Sequence, residues 1–292
     1  MASIERDELE TAYGVVLNEK AAVMAVQPTF LQLHGPCAVD YRTKAVDWMI
    51  EICADLCFVR ETTHMAVVYF DTYLSLMTEP IERNEVQLLA CACLSIAAKM
   101  EEVDVVGLET YADATDNTYT CDEITDQELK LLTLLDWEMT ITTLQTWVAY
   151  YLQMDGRRLR TRYFETQVSF MQPVYKMRAF EAVAPLLDVV LLDSGHYMYS
   201  QPLLVAACLH MQCSMYMDVE GITGFRRSDP AVVACLAYLN PLEAVSSPKN
   251  SPPKKRKRAA SVTASDTSFP VHVDVEHMWQ CYSPLWIKAI RV

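Results

Sequence analysis

One segment restricts the fold of this chain more than any other: LLACACLSIAAKMEEVD, from Leu88 to Asp104. For more than two helical turns its residues are small or apolar on every side, which is typical of a central bundle helix surrounded by others. The run is shorter than the ~20 apolar residues that a transmembrane helix needs. It ends on Lys99 and an acidic pair. Lys99 is therefore either a lysine that snorkels out of a core or a group presented to a partner.

Composition favours a helical protein with a large core. The chain has 292 residues, enough for two ordinary domains or one large one, and 52% of them are hydrophobic. Only 7 glycines accompany 15 methionines, which favours helices.

The cysteines point to a reduced, intracellular protein. Several of the ten cysteines lie inside apolar runs, with no cysteine-rich framework and no secretory signal peptide. Disulfides are therefore not expected. No paired CxxC and no HExxH motif is present, so we expect neither a metal site nor a cofactor.

Charge is unevenly distributed. The net charge is −14, yet residues 244–265 carry six basic residues and no acidic one. The remainder holds 18 basic against 38 acidic residues, a net charge of −20. A body this acidic argues against direct binding to nucleic acid, and no segment suggests a membrane partner.

Helical periodicity recurs along the chain. We predict an N-terminal helix within residues 1–39 and a second helix with Asp40 as its N-cap. A third is capped by Thr62 or Thr63, and a fourth starts at Asn84. A further helix opens near Thr120 and ends near Trp137.

The second half of the chain echoes the first. Leu88–Met100 aligns without gaps with Leu203–Met215, so the helical unit is duplicated. The second copy has Ser214 in the position of Lys99. A lysine required only by the fold would recur, so this difference favours a functional role for Lys99.

These patterns divide the chain into three parts. We expect an N-terminal helix and linker over residues 1–39, a first unit over 40–138 and a second over 139–292. A basic Ser/Pro-rich segment, residues 244–270, interrupts the second unit and should be a mobile loop. Helical, apolar composition returns after it and predicts a closing helix.

The order and spacing of four motifs resemble the cyclin box: RTKAVDWMIEI, ETTHMAVVYFDTYLSL, LLACACLSIAAKMEEV and ITDQELKLLTLLDWEM. ELETAYGVVLNEK and WEMTITTLQTWVAYYLQ further resemble E-type cyclins, which act at the G1/S transition. The resemblance implies an all-α fold of two tandem five-helix cyclin-box units preceded by an N-terminal helix. It also implies a non-catalytic subunit that activates a cyclin-dependent serine/threonine kinase.

The resemblance assigns roles to matching residues. Arg42 and Asp71 match a buried ion pair that joins two box helices and is structural. Lys99 and Glu128 match the pair that grips the kinase's mobile helix and adjoining backbone. The other residues expected in or beside this kinase-binding surface are Glu101, Glu102, Ile96, Met100, Leu132 and Trp137, with core packing as the alternative for Ile96, Leu132 and Trp137.

A second surface departs from the family. Cyclins that recruit RxL-type substrates carry methionine–arginine–alanine–isoleucine–leucine where this chain has residues 41–45. Lys44 places a charge where an apolar anchor docks, and Ala45 leaves a hole. We therefore predict weak or altered docking at this degraded patch, whose residues are Tyr41, Lys44, Ala45, Trp48, Glu51 and Gln87.

The basic segment resembles a nuclear import signal. PPKKRKR contains Lys254, Lys255, Arg256, Lys257 and Arg258, which predicts binding to a nuclear import carrier and a nuclear location with a cytoplasmic pool. A basic run also binds nucleic acid or stays solvated in other proteins. Ser-Pro motifs at Ser247 and Ser251 are candidate phosphosites, and phosphate there would add roughly −2 charge beside the cationic run.

Other functions remain open on sequence alone. A transcription-associated cyclin is the nearest alternative, and the E-like N-terminal helix argues against it. A promoter-binding transcription factor with duplicated cyclin-like units needs basic faces, and the net charge of −20 outside the basic segment argues against this reading. A cyclin-fold scaffold that binds a kinase without activating it stays possible.

Overall fold

The computed structural model describes residues 13–18, 26–164 and 177–246, and all regular structure in these ranges is helical. Helix α1 covers residues 13–18, and short 3₁₀ helices lie at Phe30–His34 and Ser194–Met198. The remaining α-helices are α2 (Ala38–Asp55), α3 (Arg60–Leu76), α4 (Arg83–Glu101), α5 (Leu108–Ala114), α6 (Cys121–Leu134), α7 (Leu144–Phe164), α8 (Met177–Leu192), α9 (Gln201–Gln212), α10 (Val219–Thr223) and α11 (Pro230–Ser246).

Helix α4 is the centre of the first unit. All residues from Leu89 to Ala98 are buried, and α2, α3, α5 and α6 pack around the helix. Its start is fixed by a capping box between Glu82 and Glu85, which satisfies amide groups that the first turn leaves unpaired. The central-helix prediction is confirmed.

Helix α9 has the same place in the second unit. Its residues from Leu204 to His210 are buried, and α7, α8, α10 and α11 contact it. In the described ranges, two groups of five helices therefore follow α1, in agreement with the predicted all-α class. The repeat is not perfect at its end, because α9 stops at Gln212 and leaves the exposed Ser214 beyond the helix, whereas Lys99 lies inside α4.

The structure corrects several predicted helix ends. Asp40 lies in the first turn of α2 instead of capping it, because the helix already begins at Ala38. Neither Thr62 nor Thr63 caps α3, since the helix starts at Arg60 and the amide of its N-cap residue Val59 donates to the carboxylate of Glu102, just after α4. The start at Thr120 is confirmed, with a capping box to Glu123.

Two further differences concern segments between and after helices. The short helix α5 was not predicted, because its seven residues are too few to show a helical period. The expected loop over 244–270 begins too early, because α11 continues to Ser246, whose side chain is buried. The rest of that loop and the closing helix lie outside the described residues.

Candidate partner-binding site

Lys99 and Glu128 come together at one end of the first unit. The Lys99 Nζ atom lies 2.6 Å from Glu128 Oε1 and 2.7 Å from Oε2. The Glu128 side chain is 10% exposed, whereas the Lys99 side chain is 45% exposed. The packing of α4 against α6 produces this geometry, since one residue comes from the last turn of α4 and the other from the middle of α6.

This arrangement leaves a directed donor at the surface. An ammonium group has three N–H donors, and the two oxygens of Glu128 engage two of them. The remaining donor is available to a carbonyl of another chain. A half-exposed cation with a fixed direction suits recognition of backbone carbonyls, such as those at the C-terminus of a helix.

Apolar side chains are exposed at the ends of the same two helices. Met100 is 50% exposed, Val103 is 83% exposed and Trp137 is 63% exposed. Trp137 was expected in the interface or in the core, and the structure places it on the surface. Ile96 is 5% exposed and belongs to the core, while Leu132 is partly buried and packs against that core. These two support the surface from beneath.

Trp137 owes its exposure to an unusual turn. Helix α6 ends at Leu134 and not near Trp137, because Asp136 (φ 51°) and Trp137 (φ 59°) both adopt the left-handed region. The Trp137 amide donates back to the Leu132 carbonyl at 2.9 Å. Left-handed backbone costs a non-glycine residue roughly 1–2 kcal/mol, and such conformations cluster at functional sites.

The acidic pair after Lys99 divides into two roles. Glu101 is exposed as a residue, but its carboxyl group is partly desolvated by its surroundings. This desolvation, followed by the charge of neighbouring Glu102, raises the pKa of the Glu101 carboxyl. Glu102 turns away from the site: its Oε1 accepts from the Val59 amide at 2.8 Å and from the Thr62 hydroxyl at 2.5 Å. It therefore caps α3, a tertiary contact that sequence spacing does not reveal.

Arg42 and Asp71 form a buried ion pair with more partners than the sequence suggested. Arg42 Nε and Nη2 donate to the two Asp71 oxygens at 2.7 and 2.6 Å, with both side chains fully buried. Arg42 Nη1 also donates to the carbonyls of Leu191 and Leu192, at the end of α8. The Tyr197 hydroxyl donates to Asp71 at 2.7 Å. The pair thus fastens the second unit onto the first.

A second buried network lies at the joint between the units. Arg60 pairs with Asp188, and His64 Nε2 lies 3.3 Å from the same carboxylate. Burial, followed by the Arg60 charge, lowers the pKa of His64 to about 3, so its ring is neutral at physiological pH. The sequence does not reveal this network, because Asp188 lies more than a hundred residues from Arg60 and His64.

Glu61 joins the start of α3 to the start of α7. Its carboxylate accepts from the hydroxyls of Thr143 and Thr146, at 2.7 and 3.0 Å. Burial raises the pKa of Glu61 to about 7 against the lowering effect of the Thr143 hydrogen bond. The nearby Glu101 charge adds to the rise.

The degraded docking patch is an open groove between α2 and the start of α4. The groove has a volume of about 230 Å³, and Trp48 and Ala45 lie in its wall. Lys44 Nζ pairs with Asp40 at 2.7 Å. Glu51 is exposed on α2 and does not line the groove. The lining residues are Tyr41, Lys44, Ala45, Trp48, Arg83, Val86 and Gln87.

Some expected sites lie elsewhere. The import signal at 254–258 and both Ser-Pro sites, Ser247 and Ser251, fall outside the described residues. In the three described ranges, His, Cys, Asp and Glu side chains nowhere gather in threes as a metal site requires. None of the described helices combines the length and apolar character needed to cross a bilayer.

Comparisons with known proteins agree with this architecture. Residues 16–140 match the family model "Cyclin, N-terminal domain". The chain is 29% identical over 226 residues to G1/S-specific cyclin-E of Hemicentrotus pulcherrimus, covering 77% of this chain and 51% of that protein. It is 27% identical over 236 residues to G1/S-specific cyclin-E1 of Rattus norvegicus, covering 81% and 54%.

A solved structure shares the fold. The X-ray structure of a viral cyclin from herpesvirus saimiri superposes with a TM-score of 0.58 at 16% identity, covering 79% of this chain and 97% of the viral chain. The chain spans about half the length of the curated relatives quoted above. Residues 16–140 are thus a cyclin N-terminal domain, and most of the chain is similar to E-type cyclins.

Proposed function

We propose that this chain is the regulatory subunit of a cyclin-dependent serine/threonine kinase. The observation that carries the proposal is the Lys99–Glu128 pair, which holds an ammonium group at the surface beside exposed apolar side chains. Apolar contacts around a few directed polar groups are typical of specific protein interfaces. The cyclin N-terminal domain and the E-type relatives support a cyclin-dependent kinase as the partner.

The mechanism is activation by binding. A protein kinase transfers phosphate efficiently only when a glutamate on its mobile helix pairs with the lysine that orients ATP. A subunit that binds this arrangement more tightly than the inactive one shifts the kinase population towards it. Lys99 would donate to backbone carbonyls near the mobile helix, while Met100 and Trp137 would pack against its apolar side. The chain itself contributes no catalytic atom.

We further propose a role at the G1/S transition in the nucleus. The names of the E-type relatives support the first part, and the basic run at 254–258 supports carrier-mediated import. The acidic charge of the remaining chain disfavours the alternative that this run serves nucleic-acid binding. A cytoplasmic pool is expected before import.

The test mixes the purified chain with candidate cyclin-dependent kinases and measures complex formation and phosphorylation of a short peptide substrate. Lys99→Ala and Glu128→Ala should each weaken binding and lower activity at least about tenfold, the loss typical of a central interface residue. Lys130→Ala is the matched control, since this exposed lysine lies on α6 two residues beyond Glu128.

Two results separate the alternatives. Unchanged binding and activity in both variants would place the interface elsewhere. A stable complex without phosphorylation would indicate the scaffold function instead of activation.

A further inference from the structure

A small cavity lies where the two helical units meet. It is lined by residues of α3 from the first unit and by residues of α7, α8 and α9 from the second. Its volume of about 30 Å³ is far below the roughly 300–1,000 Å³ of small-molecule pockets. A water molecule needs only about 10–15 Å³ of accessible space, together with two to four polar partners.

His64, on α3, brings a buried hydrogen-bond acceptor to this cavity. Its Nε2 atom lies 3.3 Å from the Asp188 carboxylate. An ionised carboxylate only accepts, so Nε2 carries the proton and Nδ1 carries the lone pair of the neutral ring. His64 is fully buried, and among the described residues its Nδ1 atom has no hydrogen-bond partner. A buried acceptor in this state costs stability unless a donor reaches it.

His196, in the 3₁₀ helix Ser194–Met198, brings a second acceptor to the same cavity. Its Nδ1 atom lies 2.6 Å from the Asp193 carbonyl, which can only accept. The proton is therefore on Nδ1, and Nε2 carries the lone pair. Burial, followed by the Arg42 charge, lowers the pKa of His196 to about 4, so this ring is also neutral at physiological pH.

The other polar side chains that line the cavity are engaged elsewhere. The hydroxyls of Thr143, Tyr197 and Tyr199 each donate their only hydrogen to a carboxylate or carbonyl of a residue that does not line it, at 2.7, 2.7 and 3.3 Å. The Gln201 amide accepts from an indole N–H and donates to a backbone carbonyl, both at 3.1 Å. The two ring nitrogens therefore require a donor from outside the chain.

We propose that the cavity binds one water molecule, which donates one hydrogen to His64 Nδ1 and the other to His196 Nε2. This water bridges the first unit to the 3₁₀ helix that precedes α9, the central helix of the second unit. The charges of Arg60 and Arg42 act on the two rings and disfavour a metal ion in the same place. The bridge stabilises the joint between the units and does not involve a kinase.

The test uses the full chain labelled with ¹⁵N-histidine. Long-range ¹H–¹⁵N correlation spectra should show His64 protonated at Nε2 and His196 at Nδ1, with the other nitrogen of each ring at the chemical shift of a hydrogen-bonded acceptor. The methyl groups of Leu204, which lines the cavity, should show a nuclear Overhauser effect from a long-lived water molecule. His64→Gln and His196→Gln variants assign the two rings.

Val68→Leu adds one methylene group to the wall of the cavity and should displace the water. The water signal at Leu204 should then vanish, and both acceptors should move to the chemical shift of a free imidazole nitrogen. The urea midpoint should fall, because two buried acceptors lose their donor. Val86→Leu is the matched control, since Val86 is 8% exposed against 9% for Val68 and does not line the cavity. It should leave both rings unchanged.

Three results would overturn the proposal. The first is an unsubstituted chain without the water signal at Leu204 and with free acceptor nitrogens on both rings. The second is a urea midpoint that rises in Val68→Leu, as the filling of a dry cavity would cause. The third is a ring signal that changes when a chelator is added, which would indicate a metal ion. The spectra of the unsubstituted chain decide the question even if Val68→Leu does not fold.

Discussion

Replacing Arg42 tests whether one side chain fastens the two units together. Arg42→Met keeps an unbranched side chain but leaves the fully buried Asp71 without its cation and removes the donor to the Leu191 and Leu192 carbonyls. Breaking a buried ion pair costs roughly 3–5 kcal/mol. Unsatisfied carbonyls add about 1 kcal/mol or more. We expect a loss of about 4–6 kcal/mol, a large part of the ~5–15 kcal/mol that stabilises a typical domain.

The assay is urea denaturation of the full chain, followed by far-ultraviolet circular dichroism at neutral pH. A second variant, Arg42→Met with Asp71→Leu, removes the stranded charge and should be more stable than Arg42→Met alone by about 2 kcal/mol or more. Lys44→Met breaks an exposed pair on the same helix and should cost at most about 1 kcal/mol. If the second substitution destabilises the single variant further, the reasoning about a stranded charge is wrong.

Four other perturbations have defined outcomes. Because the pKa of Glu61 is raised to about 7, the folded state binds the Glu61 proton more tightly than the unfolded state does. The loss of stability caused by ionisation therefore grows from pH 4.5 to about pH 7 and is constant above it. Glu61→Gln should be more stable than the wild type by up to about 3 kcal/mol at pH 8 and by little at pH 4.5, as measured by urea denaturation. Trp137→Gly should leave the unfolding free energy unchanged or raise it by up to about 1 kcal/mol, by relieving left-handed backbone, yet weaken kinase binding in a pull-down. Glu102→Ala should lower the free energy of unfolding by about 1 kcal/mol, because it removes the cap of α3. The Ser251→Asp variant should enter nuclei more slowly than the Ser251→Ala variant, as followed by fluorescence microscopy.

The sequence predicts those parts of the fold that depend on local pattern. The apolar run ending at Ala98 identifies the central helix, because a helix that is apolar on every side and too short to span a membrane belongs in a protein core. The helix start near Thr120 was also predicted, and the residues of the capping box that fixes it, Thr120 and Glu123, belong to one turn. Lys99 stood out because its repeat partner is Ser214.

Contacts between residues that lie far apart in the sequence could not be predicted from local patterns. Glu102 belongs to the acidic pair beside Lys99, yet its carboxylate caps a helix that begins about forty residues earlier. Nothing in the local pattern distinguishes it from Glu101. Likewise, the exposure of Trp137 depends on the left-handed backbone conformation of Asp136 and Trp137. Neither residue is a glycine, the residue type from which such a turn could have been predicted.

The hydrogen bonds from Arg42 to the last carbonyls of α8 link the two halves of the chain rigidly. Helix α2 carries Arg42, and the neighbouring residues Tyr41 and Lys44 line the groove between α2 and the start of α4. Any shift of α8 along its axis therefore displaces the groove as well. Heating should therefore melt both halves in one transition.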